Sequence, residues 1–503
     1  MFKPLLSAVA SAALLFSAPL AAQPPTPPIA AADMLRHIQR LASDEFQGRA
    51  PGTEGERLTI NYIAEQLAAR GLEPAGADGT WFQPVRLVER RPQSTEVSFT
   101  LNGSPVAVEA GDILLAGKDA VEALADARVI FAGHGVRMPE RGIDQLAGAD
   151  FRGAVALILG QGPRVEGFPP INERARMLFE AGAAAVLTIV DAELPWELLV
   201  RQFRRPSTRL ESVPVPEIAG LIRIGAVQRL VAAAGGDFAA MLNQQQGPSF
   251  RSVTLPVRVS INVATQIQSY ASNNVVGRLR GGARTGENLL LLAHWDHFGT
   301  CMPEGAPDRI CNGAVDNASG IAMMIEVAGR LAVQPRPQRD VLFLATTSEE
   351  VGLLGAEYFA AHPVVPLDSI QVAINMDTVA LHPAGEPVAV MGRGIPALDA
   401  AIDATVAAAG RRLDNDNEAA EFIQRQDGWR LTQAGVPAIM VGGSFSNMTL
   451  LNAFLSGRYH KPDDQADDRL VLDGAAEDAN LTVALVRRLA DPAQYRRPPR
   501  PAP

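Results

Sequence analysis

Three apolar runs in the second half of the chain each end in side chains that bind metals or move protons. Leu289-Leu290-Leu291-Leu292-Ala293 runs into His294-Trp295-Asp296, the run from Val341 to Thr347 into Glu349-Glu350, and the run from Ile370 to Met376 into Asp377. Asp316 stands in the segment Asn312-Gly313-Ala314-Val315-Asp316-Asn317, just before a helical pattern, and Tyr459-His460 follows Gly457. A single strand-end Asp is ordinarily a helix cap, and a single His a structural residue. Several carboxylates gathered at neighbouring strand ends repel one another, and a cation resolves that repulsion. Imidazole with carboxylate and no thiolate suits Zn(II) first, with Mn(II) or Co(II) as substitutes.

Five ligands fit a pair of metals better than one, with one carboxylate bridging, as in two-metal hydrolases. Asp316 is the natural bridge because a loop carries it. In an extended strand the first and third side chains point the same way, so Asp296 is expected to accept a hydrogen bond from the second ring nitrogen of His294. Of the adjacent Glu349 and Glu350 only one can face the metals; the other can stand off and take a proton from the attacking water.

These residues need strands that end side by side. From about Asn273 the sequence alternates continuous apolar strands with amphipathic helices, the pattern of an α/β sheet covered on both faces, with ligands beyond the carboxyl ends of its strands. Helices are expected over 31–42 and 52–70. From about Ser94 the period changes to strand alternation, Asn102-Gly103 signals a hairpin, and the stretch to about 264 reads as a β-rich module with one helix near 174–182.

Composition narrows the function. The chain has 503 residues, 47% of them hydrophobic, which fits a globular protein rather than a disordered or fibrous one. A net charge of −10 and the lack of a Lys/Arg run argue against nucleic acid as partner. Lys3, an apolar stretch from Leu5 to Ala18 and Pro19-Leu20-Ala21-Ala22 read as a signal peptide over residues 1–22, the alternative being an uncleaved anchor. No later segment is apolar enough to span a bilayer, so the mature protein is expected to be exported, periplasmic or extracellular, without stable membrane insertion. In that oxidising setting Cys301 and Cys311 are expected to pair; a thiolate metal site would lack companion ligands.

The site residues resemble the dinuclear-zinc aminopeptidase family that also contains glutamate carboxypeptidases and, more distantly, glutaminyl cyclases. The resemblance implies two Zn(II) per chain, one held by His294, Asp316 and Asp377 and the other by Asp316, Glu350 and His460. It makes Glu349 the general base, Asp296 the support of His294 and Tyr459 a donor to the developing oxyanion. Asn317-Ala318-Ser319-Gly320 matches the family segment that carries a cis peptide, which places one at Asp316-Asn317. Phe46-Gln47-Gly48-Arg49-Ala50-Pro51-Gly52-Thr53 also looks like this family. Phe131-Ala132-Gly133-His134-Gly135 and Asp150-Phe151-Arg152-Gly153-Ala154-Val155-Ala156-Leu157 resemble a protease-associated domain. The implied fold is a three-layer α/β zinc-exopeptidase fold with a mixed, mostly parallel sheet. The implied organisation is a linker over 23–30, a split peptidase domain over 31–95 and 265–492, a β-rich protease-associated insert over 96–264 and a Pro/Arg-rich tail over 493–503.

The residues and the resemblance together imply an exopeptidase acting on peptides by two-metal water attack, an aminopeptidase first. A carboxypeptidase or dipeptidase would need a cation for the free carboxylate, and Arg425 or Arg430 can supply it. A glutaminyl cyclase on one zinc and a non-catalytic binding protein of this fold are further alternatives. Where relatives carry Ser-Asp-His, this chain has Gln426-Asp427-Gly428, so a histidine near the pocket is missing; Asp427 and Trp429 are candidate pocket contacts. Neither a Gly-x-Ser-x-Gly elbow nor a His-Glu-x-x-His motif occurs. Gly392-Arg393-Gly394 reads as a tight strand-to-helix turn. The histidines His37, His134, His362 and His382 read as structural or exposed, and His297 lies near the metals.

Overall fold

The chain from Asn288 to His294 is buried at every position, as a strand covered on both faces must be. In the computed structural model it lies at the centre of a sheet. The structure describes residues 27–499 apart from 164–166, 192, 215–216, 246–248 and 417. The expected leader over 1–22 lies outside the described residues.

Twelve strands suffice to describe the frame. They are β1 (Phe82–Leu101), β2 (Ile113–Gly117), β3 (Val121–Phe131), β4 (Val155–Leu159), β5 (Ala185–Val190), β6 (Ile218–Arg223), β7 (Val253–Leu279), β8 (Asn288–His294), β9 (Asp340–Thr346), β10 (Ile370–Asn375), β11 (Ala389–Met391) and β12 (Ala438–Gly442). Their order is β11-β12-β10-β8-β9-β7-β3-β4-β5-β6-β2, with β1 pairing along β7. The pairs β8/β9, β8/β10 and β10/β12 are parallel, whereas β7 and β11 run antiparallel to their neighbours. This is the mixed, mostly parallel sheet expected, and its register sets His294 opposite Thr346. The carboxyl ends of β8, β9 and β10 therefore open on one side.

Helices cover the sheet. Among them are α1 (Ala31–Leu41) and α2 (Glu54–Ala69), the latter capped by the Thr53 hydroxyl on the N–H of Glu56 and closed by Gly71 at φ 77°. In the insert lie α3 (Ile171–Glu180), α4 (Trp196–Phe203), α5 (Ile224–Ala233) and α6 (Phe238–Gln245). The rest are α7 (Ser319–Val333), α8 (Leu354–Ala361), α9 (Pro396–Ala408), α10 (Gly428–Gln433), α11 (Met448–Gly457) and α12 (Asp473–Leu489). None of the described helices is long and apolar enough to cross a membrane.

The stretch read as a β-rich module carries, beside its strands, the helices α3 to α6 where one helix was expected. Its strands β3 to β6 pair in parallel, and parallel neighbours need crossovers, which helices such as α3 supply. It has its own core around Val129, Leu157, Leu187, Ile222 and Leu230, separate from that of the body built on β8 to β12. The two bodies share β7, whose register against β1 shifts between Ala264 and Thr265. The linker expected over 23–30 gives way to packed structure at Ile29, which is buried and pairs its N–H and C=O with the Asn480 amide. The tail is also anchored: Tyr495 is buried and the N–H of Arg497 bonds Gln371.

Candidate metal centre

Side chains of metal-binding type converge at the open ends of β8, β9 and β10. His294 closes β8, Glu349 and Glu350 follow β9, and Asp377 follows β10. Asp316 comes from the short irregular turn Ala314–Ala318 before α7, and His460 from the loop after α11. Nε2 of His294 lies 3.1 Å from Asp316 Oδ1 and 3.6 Å from Asp377 Oδ1. Nε2 of His460 lies 3.3 Å from Asp316 Oδ2 and 2.9 Å from Glu350 Oε2. The two oxygens of Asp316 thus face two different histidines. Glu349 joins His294 and Asp377 in one group of donors within 4.8 Å of one another, and Glu350 joins His294 and Asp316 in another.

The donor chemistry fits zinc: imidazole nitrogen and carboxylate oxygen, with His294, Asp316 and Asp377 buried and Glu349, Glu350 and His460 half-buried. The buried Nε2 of His460 is a sharper indication, because it approaches two carboxylate oxygens yet makes a directed hydrogen bond to neither. Protons otherwise take the place of a cation here. Against the burial that lowers it, the nearby carboxylates of Asp316 and Glu350 push His460 up to about 9. Against the same effect of burial, Glu349, Asp377 and Asp316 push His294 well above its ordinary value. Burial, with the charges of Glu350, Asp427 and Asp377, raises Glu349 well above the usual carboxylate range. Tyr459 is raised by burial and by the charges of Asp316, Glu350, Asp377 and Glu349, so its hydroxyl keeps its proton.

The backbone is held in costly shapes around the ligands. Ser348, Thr378 and His460 have φ of 56°, 54° and 58°, a region that costs a non-glycine residue roughly 1–3 kcal/mol. The Asp316–Asn317 peptide is cis, as the family segment implied. Asn317 ties the start of α7 to the end of β10: its Nδ2 donates to Met376 O, and its Oδ1 accepts from the N–H groups of Gly320 and Thr378.

Three arrangements differ from expectation. The carboxylate of Asp296 does not take the hydrogen bond of His294. Nδ1 of His294 lies 3.2 Å from the Asp296 carbonyl oxygen and 3.9 Å from its Oδ1. The Asp296 carboxylate instead accepts the N–H groups of Glu349 and Glu350, at 3.1 and 3.4 Å, because the turn after β9 delivers those unpaired donors to it. Arg430 is committed elsewhere, with Nη2 3.0 Å from Glu357 Oε2 and 3.0 Å from the Gly352 carbonyl. Asp427 lies behind the site, buried and accepting the Thr346 hydroxyl; burial pushes it up to about 6. Where relatives have histidine, the amide of Gln426 fills the space over Gly428, and a Cβ there would lie 2.7 Å from Gln426 Oε1.

Sequence reasoning missed two supports. Arg49 is fully buried and donates to the carbonyls of Leu41, Trp295, Asn312 and Gly313, tying the loops after β8 and before Asp316 to α1. Asp464 is buried and accepts the N–H groups of Val315 and Asp316 at 3.0 and 3.1 Å. Arg49 lies inside the family-like Phe46–Thr53 stretch, and Asp464 stands four residues after His460. His297, placed near the metals, touches Glu350 with Nδ1 2.5 Å from Oε1. Cys301 and Cys311 are bonded, and Sγ of Cys311 lies 3.6 Å from the His460 carbonyl.

A mixed α/β sheet with His, Asp and Glu at adjacent strand ends is an arrangement able to hold hydrolytic metal ions. Residues 274–485 match the model of peptidase family M28. Among the solved structures, an aminopeptidase from Aneurinibacillus sp. strain AM-1 shares the fold, with a TM-score of 0.51 and 18% identity over 92% of this chain and 94% of that one. A protein of Leptosphaeria maculans named as a probable zinc metalloprotease is 27% identical over 223 residues, 41% of this chain and 48% of that protein. A glutamate carboxypeptidase 2 homolog of Caenorhabditis elegans is 27% identical over 230 residues, 42% of this chain and 26% of that protein. The matched stretch spans less than half the length of these relatives.

Proposed function

We propose that the chain is an exported zinc-dependent exopeptidase, and an aminopeptidase in particular. The observation that carries this reading is Asp316, whose two oxygens face His294 and His460 separately, a carboxylate placed to serve two cations at once. His294, Asp316 and Asp377 would hold one zinc, and Asp316, Glu350 and His460 the other. When bound, the ions supply Lewis-acid polarisation of the scissile carbonyl and make water acidic enough to yield a nucleophile near neutral pH.

The chain's own residues do the rest. Glu349 takes a proton from the attacking water and returns it to the leaving amine. Tyr459, its ring stacked on His460, donates its hydroxyl to the carbonyl oxygen as negative charge grows there. Asp296 fixes the turn from which Glu349 and Glu350 project. Beside the cluster a cavity walled by Met391, Phe422, Met440, Phe445, Leu451 and Leu455 suits an apolar side chain at the substrate's N-terminus. The bonded cysteines accord with export, and the insert would act at the rim to shape access.

A second reading, carboxypeptidase or dipeptidase on the same cluster, is favoured by Arg425 in the cavity lining. Hydrolysis of a panel of aminoacyl-nitroanilides and their N-acetylated copies separates the readings. The aminopeptidase reading expects cleavage of free-amine substrates only, abolished by chelation and by Glu349→Gln. No cleavage by folded, zinc-loaded protein overturns it.

A further inference from the structure

Arg425 lines the metal cavity together with His294, Asp316, Asp377 and Glu349 of the site, the polar Thr378, Gln426 and Tyr459, and apolar side chains. It also lines the adjoining open cleft with Glu349, Glu350, Trp429 and His460, so it stands where an enclosed space meets an open one. Its guanidinium carbon lies 5.3 Å from the centre of the Phe422 ring, and among the described residues it makes no hydrogen bond and no ion pair. Arg430, its neighbour in the cleft, is bound to Glu357 and to the Gly352 carbonyl. Stacking on Phe422 holds the guanidinium plane without using its donors. A planar fork of free N–H groups beside a scissile bond recognises a carboxylate, which accepts two parallel hydrogen bonds.

We propose that Arg425 is a specificity-determining residue that pairs with a carboxylate of the substrate beside the scissile bond. This rests on the peptidase reading of the same site. Two sources offer the group: the free C-terminus of a residue that directly follows the scissile bond, as in a dipeptide, and an acidic side chain on either flanking residue.

Matched substrate pairs distinguish them. Leucyl-glycine against leucyl-glycinamide tests the free terminus, leucyl-glutamate amide against leucyl-glutamine amide an acidic side chain after the bond, and glutamyl-glycinamide against glutaminyl-glycinamide one before it. The wild-type protein is expected to favour the carboxylate member of at least one pair about tenfold in kcat/KM, with that ratio falling toward one in Arg425→Gln and inverting in Arg425→Glu. Calorimetric binding of the same pairs to zinc-loaded Glu349→Gln, with and without Arg425→Gln, should give the same preference without turnover. Ratios near one in the wild-type protein, or ratios that Arg425→Gln leaves unchanged, overturn the proposal. If no peptide is cleaved, the peptidase reading fails while the binding arm still reads Arg425.

Discussion

Replacing Arg49 should weaken both the fold and the metal centre, by amounts that its four acceptors set. Its guanidinium donates to the carbonyls of Leu41, Trp295, Asn312 and Gly313 at 3.0, 2.8, 2.5 and 2.9 Å. A buried carbonyl left without a donor costs about 1–3 kcal/mol, so Arg49→Met, which strands those of Leu41, Trp295 and Asn312 while Gly313 keeps the Ala318 N–H, costs about 3 kcal/mol at the low end. That is a large part of the 5–15 kcal/mol or so that holds a domain together. Arg49→Lys keeps the charge and three donors in a different geometry, and is expected to lose about 1–3 kcal/mol. Two of the four carbonyls, on Asn312 and Gly313, lie in the turn leading into Asp316 and one, on Trp295, lies between His294 and Asp296, so part of the loss falls on the positions of ligands. If about 1.4 kcal/mol of it does, zinc affinity drops roughly tenfold. Urea denaturation of chelated protein reads the first effect, and competition with a chromophoric chelator reads the second. An Arg49→Met protein that unfolds at the wild-type urea concentration and binds zinc as tightly as the wild type refutes the reasoning.

Glu326 is held down to about 2 by its hydrogen bond to His37 and by the Arg70 guanidinium, against the burial that would raise it. Its pairing therefore contributes stability above its unfolded value near 4.5 that is lost as pH falls toward 2; with allowance for solvent the loss is about 1–2 kcal/mol, absent in Glu326→Gln, and visible in denaturation midpoints at pH 5 and 2.5. A Cβ on Gly320 would lie 2.3 Å from Met376 O and 2.4 Å from Asn317 Oδ1. Gly320→Ala should cost about 2 kcal/mol or more and weaken zinc binding, since both contacts adjoin ligands; thermal melting and a zinc titration check it. The Cys301–Cys311 bond closes a loop of sequence separation 10. Cys301→Ser/Cys311→Ser should cost about 3 kcal/mol by loop entropy and lower the melting temperature, with no further drop on adding reductant.

The strand ends were legible because parallel strands covered on both faces leave unbroken apolar runs. The first polar residue after such a run marks where the backbone leaves the sheet, which is why His294, Glu349, Glu350 and Asp377 stood out. Asp316 and His460 lie on loops, where periodicity says nothing, and were reached through their types and the family resemblance. Arg49 and Asp464 act through backbone groups distant in sequence, and no local pattern announces such contacts. The Asp296 contact failed for a related reason: the alternation rule placed its side chain correctly on one face but could not show that two N–H groups from the next strand's turn compete for it. Helix α11 was missed because its signal is one capping Asn447 ahead of a short apolar run. The helices α4 to α6, each only two or three turns long and set among short strands, were not read from the sequence. The boundary drawn between 264 and 265 falls at the register shift inside β7, a continuous strand that serves both bodies and offers no change of composition to mark it.

The central claim is that Asp316 joins two zinc positions, with Glu349 beside them as the base. Calorimetric titration of zinc into chelated wild-type protein, with peptide hydrolysis followed at each addition, tests it most directly. The account predicts two equivalents bound per chain and activity that rises with them, fewer equivalents for Asp316→Ala, and two equivalents without activity for Glu349→Gln. Saturation of the wild-type protein at one equivalent, or full hydrolysis with no metal bound, would contradict it.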